Sequence, residues 1–105
     1  MKQRFGESFG TLTDFPGCGQ IVVSHGVFIP KERRGMGFGK ESNQNRQYAA
    51  RMAGYDYMLC TVATDNFVQQ KILQDTGWRY LDRFGSSRTD HCVEIWGIAL
   101  LNKGR

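Results

Sequence analysis

Two strand-forming segments joined by a helix constrain the fold more than any other feature of the chain. Segments 20–29 (QIVVSHGVFI) and 55–62 (YDYMLCTV) are apolar and β-branched, which is typical of buried strands. Between them lie a glycine-rich loop and residues 39–53, whose composition favours a helix that stops at Gly54. Strands connected in this way run parallel with a right-handed crossover. The sequence therefore predicts a parallel strand pair at the centre of a sheet.

Other elements extend this unit at both ends. Segment 9–15 (FGTLTDF) precedes the turn residues PGCG and indicates a strand, and Gly26 is a candidate β-bulge in the strand over 20–29. The residues TDN start a short second helix that ends at DTG. WRYLDRF and HCVEIWGIAL, joined by GSSRTD, indicate a closing antiparallel hairpin. The predicted fold class is α/β (α+β mixed), with a central mixed sheet and two main helices.

The faces of the two predicted helices follow from their apolar residues. In the helix over 39–53, the side chains expected to face the core are Tyr48, Ala49, Met52 and Ala53. In the short second helix, the apolar residues are Phe67, Val68, Ile72 and Leu73.

Size and composition indicate one small domain over residues 1–105, with its core in 20–100. So modest a core is compatible with a homodimer. No apolar run approaches the ~20 residues that span a bilayer, and the first residues lack the apolar core of a signal peptide.

The three cysteines lie far apart, as expected for small buried residues of a reduced, cytoplasmic protein: Cys18, Cys60 and Cys92. His91 and Cys92 are adjacent, and neighbouring strand residues point to opposite faces of a sheet. We therefore expect no metal site.

The basic charge is concentrated around the glycine-rich loop. The net charge is +4, and the segment from Lys31 to Arg51 carries the whole excess, because basic and acidic residues balance elsewhere. Two readings remain open: a solvated helix face, or a local field for a polyphosphate.

The loop itself, RRGMGFGK over 33–40, fits two familiar phosphate motifs poorly. A P-loop requires Ser or Thr after its lysine, but Glu41 follows Lys40, and position 34 is not glycine. The dinucleotide fingerprint requires a third glycine at position 40. The remaining pattern, from Arg34 to Gly39, matches R/Q-x-x-G-x-G/A after a strand that ends before Pro30.

In this pattern the sequence resembles the GCN5-related N-acetyltransferases (GNAT). VFIPKERRGMGFGK is similar to their acetyl-CoA-binding segment, and DNFVQQKILQDTGW is similar to the Asn-led helix that follows the next strand. The resemblance covers roughly residues 20–100. A weaker resemblance, in GWRYLDRF and HCVEIW, is to small acetyltransferase-like proteins of tailed bacteriophages.

The resemblance implies acetyl-CoA as co-substrate and names the residues that hold it. The main chain around Val27 and Ile29 is expected to pair with the pantetheine arm, and Asn66 to contact it, although Asn66 serves equally as a helix cap. The pyrophosphate is expected on the loop and helix N-terminus, where glycines admit a close approach. The residues assigned to this part of the site are Arg34, Gly35, Met36, Gly37, Phe38, Gly39 and Lys40.

The catalytic half of the family pattern is altered. Relatives commonly use a Tyr seven positions after the Asn to protonate the leaving thiolate, but this position is Leu73, and Gln69 replaces a small residue. Either another residue protonates the thiolate, or catalysis is weak or absent. His25 is the best candidate for the general base, since it shares a strand face with Ile29. The other candidates for acid or base are Tyr80, Tyr57, Glu94 and His91, and Asp65 is expected to cap the second helix.

Fewer than 20 residues precede the strand over 20–29, whereas relatives place a strand and one or two helices there. We therefore expect an N-terminally truncated fold whose acceptor site is open or is completed by a partner.

The first reading is an acetyl-CoA-dependent N-acyltransferase acting on an amine or a protein lysine. The alternative is a catalytically weak GNAT-fold binding or virion-associated module. A nucleic-acid-binding protein is a third and weaker reading, because no RNP-type aromatic motif accompanies the basic patch.

Overall fold

The computed structural model describes residues 3–5, 8–28, 38–85 and 92–100. In these ranges the chain forms the following strands and helices, in order: β1 (Gln3–Phe5), β2 (Ser8–Phe15), β3 (Cys18–Phe28), α1 (Phe38–Met52), β4 (Tyr57–Ala63), α2 (Phe67–Asp75), β5 (Arg79–Gly85) and β6 (Cys92–Ala99).

The described strands form one mixed sheet in the order β1-β2-β3-β4-β6-β5. β3 and β4 are parallel, and every other neighbouring pair is antiparallel. α1 connects the parallel pair, as the strand–helix–strand pattern predicted. The closing hairpin is also confirmed, and its second strand, β6, lies between β4 and β5. The mixed α+β fold class predicted from the sequence is therefore confirmed.

The predicted bulge in β3 is confirmed by the register with β2. Phe9 pairs with Phe28 and Thr11 pairs with His25, so β3 has one residue more than β2 between these two pairs. Gly26 lies in this interval. An extra residue bends its strand and increases the local twist, so the last part of β3 diverges from a regular ladder.

Both helices lie on the same face of the sheet. The core joins Val22 and Met58 of the central strands to Ala50 of α1 and Leu73 of α2. Trp78, which begins the last hairpin, completes the contact with α1 by donating its indole N–H to the Oδ1 of Asn43. The alternation of β3 places Val22 and Ser24 on this helix-covered face.

The predicted core face of α1 was wrong. Tyr48 and Met52 are 60% and 68% exposed, Ala53 is also exposed, and Ala49 is half-buried. The buried side consists instead of Ser42, Asn43, Arg46 and Ala50. These positions recur at helical spacing, and three of them are polar. Hydrogen bonds beneath the helix therefore decide which side is buried, against the apolar pattern.

The expectation that all three cysteines are buried was also wrong. Cys92 is exposed at the start of β6, and Cys18 and Cys60 are only half-buried, while all three are free thiols. Cys92 lies next to Gly85 on the edge strand β5, where little covers it. None of the described helices is long and apolar enough to cross a membrane.

Candidate active site between two diverging strands

The sheet opens between its two parallel strands. Pairing of β3 with β4 runs over three residue pairs, from Ile21 with Tyr57 to Val23 with Leu59. Beyond them β3 continues along β2 as far as Phe28, and β4 continues along β6 as far as Ala63. Within the described chain, the carboxyl-terminal halves of the two strands therefore do not pair with each other. We call the V-shaped gap between them the wedge.

Main-chain polar groups line the wedge on both sides. Within the described chain, each diverging strand pairs with a strand on its outer side only, so its inner edge keeps N–H and C=O groups that no strand uses, although Ala63 O accepts a hydrogen bond from Asn66 N. An extended polar chain that entered the wedge would meet two strand edges. The wedge therefore fits a linear ligand with amide groups.

Two helices begin close to the mouth of the wedge. α1 is the next described element after β3, and α2 begins a few residues after β4. Asn66 is the N-cap of α2: its Oδ1 accepts a hydrogen bond from Gln69 N at 3.2 Å, and its own N–H donates to Ala63 O at 3.0 Å. The capping role considered for Asn66 is thus confirmed. Asp65, which was expected to cap this helix, is not the N-cap residue. A contact between Asn66 and a cofactor stays a prediction.

The predicted cofactor residues lie partly at this mouth. Val27 belongs to β3, and Phe38, Gly39 and Lys40 form the first residues of α1, with Lys40 exposed. The other predicted residues of this group lie outside the described residues: Ile29, Arg34, Gly35, Met36 and Gly37.

His25 is exposed on the face of the sheet opposite the helices. It follows the buried Ser24 in β3, so its side chain points the other way. Its Nε2 lies 3.1 Å from Thr13 Oγ1 on the neighbouring strand. His25 also lies in the part of β3 that does not pair with β4. It therefore lies beside the wedge, on the face that the two described helices do not cover.

Tyr80 and Glu94 lie on the opposite face from His25. The Tyr80 ring packs edge-on against Trp96, with ring centroids 5.9 Å apart, and Glu94 accepts a hydrogen bond from the Trp96 indole at 2.9 Å. Tyr80 is on β5, which β6 separates from β4, a distance of about 10 Å across two strand spacings. The three predicted catalytic residues are therefore not brought together.

The remaining candidate acids also lie away from the wedge. Tyr57 begins β4 at the paired end, and its ring lies over Gly97. Leu73, which stands where the family commonly has Tyr, is fully buried in the core. His91 lies outside the described residues. Among the described residues, no group of three or more His, Cys, Asp or Glu side chains is arranged to hold a metal ion.

A polar group at the closed end of the wedge was missed by the sequence reasoning. Arg46 of α1 is only 3% exposed, and it donates from Nη1 to Ser42 Oγ at 2.7 Å. Within the described part of the chain, its Nε has no hydrogen-bond partner, and neither has the Oγ of the buried Ser24. Cys60 is the next residue of β4 after the last pair with β3. We call Ser24, Ser42, Arg46 and Cys60 the Arg46 cluster.

Burial sets the protonation of this cluster. It lowers the pKa of Arg46 from 12.5 to about 10, and it raises the pKa of the Cys60 thiol from 9.0 to about 12. Each shift is partly opposed by the attraction between the guanidinium and the thiolate form of Cys60. At neutral pH Arg46 is a buried cation and Cys60 is a neutral thiol. A neutral thiol is a poor nucleophile, so Cys60 is unsuited to covalent catalysis.

Arg46 is one of the basic residues between Lys31 and Arg51, which were expected either to form a solvated helix face or to attract a polyphosphate. Its burial excludes both roles, while Lys40 and Arg51 of the same helix are exposed. No sequence signal marked this difference except the spacing of Ser42 and Arg46, four residues apart on one helix face.

Solved structures share this architecture. An acetyltransferase from Bacillus subtilis in complex with CoA superposes with a TM-score of 0.79 at 15% identity, over 95% of this chain and 75% of its own. This is the GNAT acetyltransferase fold. YncA from Salmonella typhimurium, named as an acetyltransferase and solved with acetyl-CoA, also gives a TM-score of 0.79, at 14% identity over 94% of this chain and 61% of its own.

An IAA acetyltransferase from Bacillus cereus gives a TM-score of 0.78 at 12% identity, over 89% of this chain and 69% of its own. The chain thus spans between 61% and 75% of the lengths of these GNAT-fold structures. In sequence, no family model and no curated protein matches the chain.

Proposed function

We propose that the protein is an acyl-CoA-dependent N-acyltransferase that acts on an amine or a protein lysine. The wedge between β3 and β4 carries this proposal. It offers two unpaired strand edges to an extended ligand, and it occurs in a fold whose solved examples include proteins with bound CoA and acetyl-CoA. The pantetheine arm of acyl-CoA is a linear chain with two amide groups, which suits such edges.

The cofactor would enter at the mouth of the wedge. We infer that the main chain around Val27 and Ile29 pairs with pantetheine, and that the pyrophosphate lies at the loop before α1. A helix N-terminus favours negative charge, because its first N–H groups are not used within the helix. Lys40, exposed in the first turn of α1, adds a cation there.

The reaction forms an N–C bond and breaks the C–S bond of the thioester. The neutral amine attacks the carbonyl carbon, the amine nitrogen loses a proton, and the departing thiolate gains one. We assign the acceptance of the amine proton to His25, since it lies beside the wedge on the face that the helices leave open. Leu73 has no proton to give, so the thiolate is protonated by solvent or by the acceptor side of the site.

Two further features belong to the proposal. The chain acts as a single GNAT-like domain, since one core joins both helices to the sheet. It works in a reducing compartment such as the cytoplasm, where the free thiols of Cys18, Cys60 and Cys92 persist.

Two measurements test this function. Coenzyme A and acetyl-CoA should each raise the melting temperature in a concentration-dependent way. Release of free thiol from acetyl-CoA should then depend on an added amine, measured over a panel of small amines and lysine peptides. The variant Gly37→Asp should abolish the stabilisation by introducing a carboxylate into the predicted pyrophosphate loop. Stabilisation without thiol release would identify a binding module, and a lack of stabilisation would refute the cofactor assignment.

A further inference from the structure

The Arg46 cluster contains a buried cation without an anionic partner among the described residues. Arg46 is 3% exposed, and the hydroxyl of Ser42 is a neutral acceptor. The ion pair found in the described part of the chain joins Lys71 and Asp75, on the surface of α2. A buried charge of this kind is costly unless it is paired. Its presence therefore points to an anionic group that the described residues do not supply.

The cluster lies at the closed end of the wedge. Arg46 is eight residues after Phe38, about 12 Å down a helix that rises 1.5 Å per residue. Ser24 is four residues before Phe28, about 13 Å down a strand. Ser24 is the first residue of β3 beyond its last pair with β4, as Cys60 is in β4, so these two residues lie at the same level. Cys60, which interacts electrostatically with Arg46, is at this level on the other side of the wedge.

The unused polar atoms select the chemistry of the missing group. Arg46 offers the N–H at Nε and Ser24 offers its hydroxyl, and neither of these two groups has a hydrogen-bond partner among the residues that the structure describes. A guanidinium edge and a nearby hydroxyl match a carboxylate, which accepts hydrogen bonds at both oxygens and neutralises the charge. A water molecule would accept the hydrogen bonds but leave the buried charge uncompensated. The methyl group of an acetyl donor would neither accept the hydrogen bonds nor compensate the charge.

We propose that Arg46 binds the carboxylate of the acyl group, so that the acyl donor is the coenzyme A thioester of a short dicarboxylic acid. This inference rests on the proposed function, because the acyl group reaches the cluster only if the thioester lies in the wedge. The transferred group becomes an amide that keeps its free carboxylate: the acceptor amine forms the N–C bond, the C–S bond breaks, and coenzyme A leaves as the thiol. The acceptor thereby changes from a cation to an anion.

The test compares acyl groups of equal length with and without the carboxylate. Wild-type protein is titrated with coenzyme A, acetyl-CoA, butyryl-CoA and succinyl-CoA, and binding is followed by calorimetry and by melting temperature. Succinyl-CoA should bind about tenfold to a hundredfold more tightly than butyryl-CoA, as expected for hydrogen bonds between charged partners. Equal binding of the two thioesters would overturn the inference.

A variant and a matched control locate the effect. Arg46→Met keeps the length of the side chain and removes its charge, and should abolish the preference for succinyl-CoA while leaving butyryl-CoA binding within about twofold. Arg51→Met removes an exposed charge from the same helix, and should keep the preference. A preference lost equally in both variants would show a general charge effect and reject the site. If Arg46→Met fails to fold, the comparison in the wild type decides alone.

The outcomes separate this inference from the proposed function. Binding of coenzyme A and acetyl-CoA without a preference for succinyl-CoA refutes the carboxylate site and leaves the acyltransferase. Stabilisation by free succinate equal to that by succinyl-CoA also refutes it, since it shows an anion site independent of the thioester. If no coenzyme A compound binds, both proposals fail.

Discussion

Trp78 donates its indole N–H to Asn43 Oδ1 at 2.8 Å, which joins the start of the last hairpin to the first turns of α1. The same oxygen accepts from Gln47 Nε2 at 2.8 Å and from Thr76 Oγ1 at 3.1 Å. One fully buried amide thus connects both helices and the hairpin.

We expect Asn43→Leu to lower the free energy of unfolding by about 2–4 kcal/mol, because it leaves the buried Trp78 N–H without its acceptor. Urea denaturation measures the effect. Gln44→Leu, at an exposed position of the same helix, is the control and should stay within about 0.5 kcal/mol. A similar loss in both variants would show that the introduced apolar side chain, and not the loss of the buried amide, is responsible.

Gly97 is required because the Tyr57 ring covers it. A Cβ at position 97 would lie 2.6 Å from Cε2 of that ring. Gly97→Ala should therefore displace the ring and cost about 1–3 kcal/mol. Gly19→Ala has open space around its Cβ and should be nearly neutral. In a Tyr57→Ser background the cost of Gly97→Ala should largely disappear, and an unchanged cost would assign it to the backbone of β6.

Two substitutions separate the capping role of Asn66 from its predicted contact with the cofactor. Asn66→Ala should cost about 1 kcal/mol by removing the acceptor of Gln69 N, whereas Asn66→Ser should keep most of the cap. If Asn66 also contacts pantetheine, both variants should bind coenzyme A more weakly. Calorimetric affinities that are equal to the wild-type value in Asn66→Ser would leave Asn66 with the structural role alone.

His25→Gln tests the proposed base. The amide keeps a hydrogen bond to Thr13, so stability and coenzyme A binding should change little. The amine-dependent release of thiol should fall by about a hundredfold or more, while KM for acetyl-CoA should change little. An unaltered rate of thiol release would remove His25 from the mechanism.

The pKa values of Cys60 and Arg46 predict how stability changes in alkali. From pH 9 to 10 the unfolded chain loses the Cys60 proton while the folded protein, with a pKa of about 12, keeps it. Stability should therefore fall by about 1 kcal/mol over this unit, because the unfolded thiol is already half ionised at its usual pKa of 9.0. Above pH 10 the folded protein, with the Arg46 pKa at about 10, loses a proton that the unfolded chain keeps, which opposes the fall.

Urea denaturation of the wild type and of Cys60→Ala between pH 8 and 10 isolates this contribution. The wild type should lose more stability than the variant over the last unit. Parallel curves would mean that the thiol is accessible to solvent in the folded protein.

The sequence predicted the order of the elements better than the faces of the helices. β-branched runs and turn residues located β3, β4 and the closing hairpin, because these signals are local. The buried face of α1 was misread because its stability comes from hydrogen bonds to residues such as Trp78 and Thr76, which are distant in sequence. Similarly, nothing in the sequence separates Arg46 from the exposed basic residues Lys40 and Arg51 of the same helix. Only the packing of α1 on β3 and β4 distinguishes it.

The divergence of β3 from β4 also has a mechanical consequence. The sheet consists of two half-sheets, β1-β2-β3 and β4-β6-β5, which share a seam of three residue pairs under α1. A ligand that filled the wedge would continue the hydrogen bonding across this seam, as an added strand does. N–H groups on the inner edges, those of Thr61 and Ala63 among them, should then exchange with solvent more slowly, and binding would join the two half-sheets into one rigid unit.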